Sequence, residues 1–139
     1  MLSAEAFQTI VDSIRASEDE LETRQFPRVG FSGRAVILPL DRDRRTPQVM
    51  MVRDLSPRSI GILDRQPMLP GDQFMLCLRA QGRGGNRAVV CTVVRCIPLN
   101  KHLFNIGATF GGDRACHIND AELKRIFEID ARRRQQSVG

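Results

Sequence analysis

The sequence contains no tryptophan and no tyrosine, and its aromatic content is only 5%. That argues against a surface for single-stranded nucleic acid, where bases stack on aromatic rings. Histidine is scarce: His102 and His117 are the only two, and neither has an obvious partner. No local Ser-His-Asp set, no H-E-x-x-H and no glycine-rich phosphate loop ahead of a helix occurs. Gly82 to Gly85 is glycine-rich, but no Lys-Ser/Thr follows it. The chain is therefore expected not to be an enzyme.

The four cysteines, Cys77, Cys91, Cys96 and Cys116, form no C-x-x-C pair. Cys77 and Cys91 lie in apolar, strand-like runs and are expected to be buried free thiols. Cys116 and His117 with His102 lack the spacing of known zinc patterns, so no metal site is expected. No apolar run approaches the roughly 18 residues that a membrane helix needs. The stretch from Met1 to Phe7 is acidic and lacks the layout of a signal peptide. A cytoplasmic location is the expectation.

Lysine is nearly missing as well: Lys101 and Lys124 leave arginine to supply 19 of the 21 basic residues. Arginine suits planar, bidentate recognition of phosphate and guanine. The net charge of +5 is unevenly placed. Residues 1–22 carry six acids against Arg15, a net of −5, so the remainder carries +10. The body of the protein should attract anions.

The 139 residues suffice for one domain with a core. Residues 4–22 read as an amphipathic helix, with Ser3 as N-cap and Phe7, Ile10, Val11 and Ile14 at helical spacing. Its stripe must bury itself on its own barrel or on a second subunit. Pro27 then stops any helix and holds Phe26 extended. Six strands are expected after it: Phe31–Leu40, Gln48–Leu55, Ser59–Asp64, Gln73–Ala80, Arg87–Leu99 and His102–Phe110. A charged loop, 41–47, a turn at Leu69–Asp72 and a hairpin loop at Gly82–Asn86 separate some of them. A second helix follows, with Asn119 and Glu122 at capping-box spacing and Ile118 and Leu123 as hydrophobic staple. Arg132 to Arg134 oppose its dipole at the far end. The fold class is mainly β: a six-stranded antiparallel barrel, which removes sheet edges, between an N-terminal and a C-terminal α-helix. The division is 1–22 for the first helix, 23–118 for the barrel with a linker at 24–28, and 119–139 for the last helix and its basic tail.

Two short patterns carry the candidate chemistry. Arg24 and Arg28 flank Pro27 in an extended linker, about 13 Å apart along the backbone. Arginine forks can grip guanine O6 and N7, bind a phosphate or stack on a base. Asp54 and Ser56 stand at a strand end before Ile60 to Ile62. An ionised Asp accepts hydrogen bonds and can take the N1–H and N2–H₂ donors of guanine. Ser56 can donate or accept beside it, or simply form a turn.

In this order, ahead of a run of strands, these residues resemble the PilZ family of bacterial cyclic di-GMP receptors. The family pattern is R-x-x-x-R entering a six-stranded Greek-key barrel, then D/N-x-S-x-x-G at a strand end. Phe26-Pro27-Arg28-Val29 and Ile106-Gly107-Ala108-Thr109-Phe110 resemble its phrasing too, over roughly residues 24–110. The resemblance implies a cyclic di-GMP site of Arg24, Arg28, Asp54, Ser56 and Ser59, with Gly107 as an additional member. It implies no cofactor beyond that ligand. Binding would order the Arg24–Arg28 linker and pass a signal to a protein partner or by self-association through residues 4–22. Ser59 departs from the family, where glycine is usual. If that position needs positive φ, serine costs about 1 kcal/mol and its side chain crowds the base. A degenerate PilZ domain acting as a ligand-independent interaction module is the alternative; an oligonucleotide-binding barrel is less favoured.

Overall fold

The computed structural model describes residues 4–21, 33–40, 46–78, 86–116 and 118–137. Ser3, the Arg24–Arg28 linker, the loop at 41–45, most of the hairpin loop before Asn86, and His117 lie outside the described residues.

Helix α1 (Ala4–Leu21) is followed by β1 (Gly33–Pro39), β2 (Gln48–Leu55), β3 (Ser59–Asp64), β4 (Gln73–Leu78), β5 (Arg87–Asn100) and β6 (Leu103–Ala115). Helix α2 (Asp120–Ser137) ends the series. The strands close into an antiparallel barrel in the order β1-β2-β3-β6-β5-β4. Three sequential strands thus meet the next three at β3·β6 and β1·β4, and no sheet edge remains open. β6 runs five residues beyond the expected end at Phe110, because Asp113 to Ala115 still pair with Val89 to Arg87.

Alternation fixes the core. Ala35, Ile37, Met50, Val52, Ile60, Ile62, Phe74, Leu76, Cys91, Val93, Ile106 and Ala108 point inward and form one buried cluster. Ile10 and Ile14 of α1 belong to that same cluster, and α1 packs on β1 and β4. The centre of the first helix's apolar stripe, Ile10 and Ile14, is therefore spent on its own barrel. Gly33 is a point of close approach to the helix: a Cβ there would collide with Ile14 Cγ2.

A second, smaller cluster sits outside the barrel. Val36 and Cys77 face outward and are covered by Ile118, Leu123 and Phe127 of the α2 region. Covering of both faces explains why Ala35 to Leu38 reads as a continuous apolar run. Asn119 caps α2: its Oδ1 accepts the Glu122 N–H at 2.8 Å, and its Nδ2 donates to Glu122 Oε1 at 3.0 Å. This second contact joins the two side chains, a variant of the expected box. Ile118 and Leu123 are both buried, as a staple requires, whereas Ile129 is exposed and lies off the packed face.

The connection to β4 turns at Leu69-Pro70-Gly71-Asp72. The Asp72 N–H donates to Leu69 O at 2.9 Å, and Gly71 has φ +95°. Proline second and a left-handed glycine third define a type II turn.

Candidate functional site

Among the described residues α1 packs on β1 and β4 and α2 on β1 and β2, so neither helix packs closely on the outer face around β3 and β6. Four residues line up across it. Asp54 pairs with Gly61, Gly61 with Gly107, and Gly107 with Arg95, so one row crosses β2, β3, β6 and β5.

Both ends of the row exist because of β-bulges. In β2, Met50 and Val52 point inward, and simple alternation would send Asp54 inward too. The register shifts between Val52 and Asp54, leaving Arg53 as the extra residue. Asp54 then faces out, while Leu55 returns to the core side against Ile60. In β5 the same happens after Cys91 and Val93. The register shifts between Val93 and Arg95, Val94 is extra, and Arg95 is turned outward while Cys96 packs inward. An unpaired ionic side chain in the barrel would cost several kcal/mol, so expelling both is the stable solution.

The glycines between them leave room. A Cβ on Gly61 would stand 2.6 Å from Asp54 Oδ2 and 2.7 Å from Oδ1. A Cβ on Gly107 would stand 3.0 Å from Arg95 Nε and 3.1 Å from its Cγ. The carboxylate thus lies over Gly61 and the arginine stem over Gly107. Asp54 and Arg95 are exposed, and among the described residues neither side chain is tied by an ion pair. Exposed Arg53 and Arg58 stand on the bulge and on the turn after Asp54. The local field therefore favours anions, with one carboxylate set among three arginines.

Adjacent rows form the rims. On one side Ser59, Thr109 and Thr92 pair in sequence across the strands. On the other, Met51, Leu63, Asn105 and Ile97 do, and Met51 and Ile97 are among the exposed large hydrophobic residues.

The turn between β2 and β3 is held internally. Ser56 Oγ accepts the Ser59 N–H at 3.1 Å and the Arg58 N–H at 3.3 Å, and lies 3.1 Å from Ser59 Oγ. The Ser56 N–H donates to Ser59 O at 2.9 Å. Phe110 N–H donates to Arg58 O at 3.0 Å, which fastens the turn to β6. Ser59 has no strained backbone, because no described non-glycine residue has positive φ. The conditional cost attached to this serine does not arise: it sits in a strand, paired with Thr109, and its hydroxyl joins the turn.

A family model described as PilZ domain matches residues 22–126. The chain belongs to the PilZ family. Neither the comparison with curated proteins nor that with solved structures returned a match. The match spans both sequence patterns and the whole barrel, and PilZ is a ligand-binding domain of the cyclic di-GMP receptor family.

Within this PilZ barrel, Asp54 and Gly107 fall in one row, and Ser56 and Ser59 meet in one turn. Arg24 and Arg28 lie outside the described residues. Sequence reasoning missed Gly61 and Arg95. Gly61 is off the motif's register, yet it is the residue beneath Asp54. Arg95 carries no signal by type in an arginine-rich chain. Its signal is positional: a charged residue stands where alternation from Cys91 and Val93 calls for an apolar one.

Proposed function

We propose that the chain is a cyclic di-GMP receptor whose barrel reads a guanine through Asp54, while Arg24 and Arg28 grip the ligand from the linker. The observation that carries this reading is the carboxylate of Asp54, turned outward by a bulge and laid over Gly61 among exposed arginines. An ionised carboxylate accepts two hydrogen bonds side by side, and guanine offers N1–H and N2–H₂ side by side. The cyclic phosphates suit the arginine forks. Ser56 holds the turn that positions Asp54, and Ser59 forms the near rim. Ligand binding fixes the Arg24–Arg28 segment against the barrel, and the change in what that segment presents is passed to a protein partner.

The bonding of Ser56 within its own turn favours a second reading, a PilZ module that engages a protein partner without ligand. Titration calorimetry with cyclic di-GMP on the native protein, Arg28→Ala and Asp54→Ala separates the two. The receptor reading expects native binding and at least tenfold weaker binding by each variant, about 1.4 kcal/mol or more. Absence of native binding refutes it in favour of the module. Native binding that survives both substitutions rejects the site.

A further inference from the structure

Arg95 belongs to neither family motif, and its placement has no structural necessity: an exposed arginine at a strand position could point straight into water. Instead its stem lies along the row, against the Cβ position of Gly107, and so towards β3 with Gly61 and, beyond it, β2 with Asp54. Two independent bulges, one in β2 and one in β5, bring an acceptor and a donor to the two ends of the same glycine pair. Asp54 can only accept when ionised, and Arg95 can only donate.

Guanine presents the matching order along adjoining edges: N2–H₂ and N1–H as donors, then O6 and N7 as acceptors. We propose that Arg95 is the second guanine-reading residue of the barrel, donating to O6 and N7 of the base whose N1–H and N2–H₂ are held by Asp54. This rests on the receptor reading above and adds a residue that determines base specificity. Adenine fits the pair poorly. Its N6 amino group offers one edge donor in place of two, and of the O6 and N7 acceptors facing the arginine it keeps only N7. The glycines are part of the device, because a side chain at Gly61 or Gly107 would take the space that the Asp54 carboxylate and the Arg95 stem occupy and displace them. Arg95 does not need Arg24 or Arg28 for this role, since it reads the base and they serve the rest of the ligand.

The test is calorimetric titration of the native protein, Arg95→Ala and Arg95→Lys with cyclic di-GMP and with cyclic di-AMP, with thermal melts of all three proteins. The native protein is expected to prefer the guanine ligand by tenfold or more. Arg95→Ala should weaken cyclic di-GMP by about tenfold and leave the weaker cyclic di-AMP binding nearly unchanged, so the preference collapses. Arg95→Lys keeps the charge and loses the fork, and should also lose most of the preference. Unchanged melting temperatures are expected, as Arg95 is exposed. If the lysine variant binds both ligands like the native protein, Arg95 is only a local charge and the proposal falls. If the alanine variant weakens both ligands equally, the role is phosphate attraction and the proposal also falls. A native protein that binds neither ligand refutes the receptor reading itself, a result distinct from either of these.

Discussion

Gly61→Ala isolates the support beneath Asp54. The new Cβ would stand 2.6 Å from Oδ2, 2.7 Å from Oδ1 and 2.8 Å from Cγ, whereas ordinary contact begins near 3.4 Å. The carboxylate must therefore move outward by about 0.8 Å, and both oxygens and their carbon must move together. Nothing on the backbone resists the substitution. Gly61 lies in β3 opposite Gly107, and Gly71 is the one glycine among the described residues with positive φ. Alanine in a strand even recovers roughly 0.5 kcal/mol of backbone entropy relative to glycine. The exposed Asp54 can swing away into water at little cost to folding. A bidentate pairing to a base contributes roughly 1–3 kcal/mol, and a shift of this size breaks its geometry. Gly61→Ala should thus lower cyclic di-GMP affinity by one order of magnitude or more in titration calorimetry, with a melting temperature within a few degrees of native. Native-like affinity in a folded variant would refute the claim that Asp54 reads the ligand from above Gly61. A large loss of stability would refute the claim that the carboxylate is free to move.

Two further outcomes concern the scaffold. Gly33→Ala drives a methyl group into Ile14 Cγ2 and should destabilise the protein by about 1–3 kcal/mol in urea, while Gly112→Ala, with open space around its Cβ position, should be close to neutral. Equal stability of the two variants would show that α1 does not seat on Gly33. Asp64, at the end of β3, has its carboxyl pushed above the ordinary value of 3.8 by burial, opposed in part by the N–H groups of Gln66 and Arg65. Its folded form therefore holds a proton more tightly than the unfolded chain does, so this group's contribution falls as pH rises through that window. Asp64→Asn removes the half-buried charge and keeps the Oδ1 acceptor for Gln66. It should melt higher than native at about pH 7, and the advantage should vanish as pH falls below the ordinary carboxylate range. A gain that is the same at every pH would exclude Asp64 as its source.

The sequence made the strands legible wherever alternation ran unbroken. The expected bounds of Gln48–Leu55 and Ser59–Asp64 coincide with β2 and β3, and the Pro70-Gly71 turn falls where its residue types require. Helix α1 was legible from its stripe, but the stripe alone could not say which surface would bury it; Ile10 and Ile14 in the barrel core answer that. The site was half legible. Asp54 and Gly107 could be named from patterns, because their neighbours in the chain form recognisable phrases. Arg95 and Gly61 could not, because their role comes from register across four strands. A residue-type pattern within one strand carries no register with another. What the sequence does hold is the broken parity: Met50, Val52, Asp54 in β2 and Cys91, Val93, Arg95 in β5 each end an inward series on a charge. In each case a bulge resolves the conflict, and the two bulges turn both charges out over one glycine pair.

The carboxylate over Gly61 also bears on which ligand the surface takes. A surface that merely collected anions would be served by Arg53, Arg58 and Arg95 alone. Asp54 works against that purpose, since a phosphate brought within 4 Å of a carboxylate is repelled by roughly 4 kcal/mol at the effective dielectric of a protein surface. Attraction by the arginines is also screened by salt and does not distinguish one phosphate ester from another. An acceptor laid over Gly61 is useful only to a ligand that brings neutral donors to that spot and keeps its phosphates elsewhere. A guanine edge does so, with the phosphates left to arginines away from Asp54. The same reasoning sets the behaviour in salt: affinity should fall as ionic strength rises, while the preference for guanine over adenine should persist, because it depends on hydrogen bonds at short range.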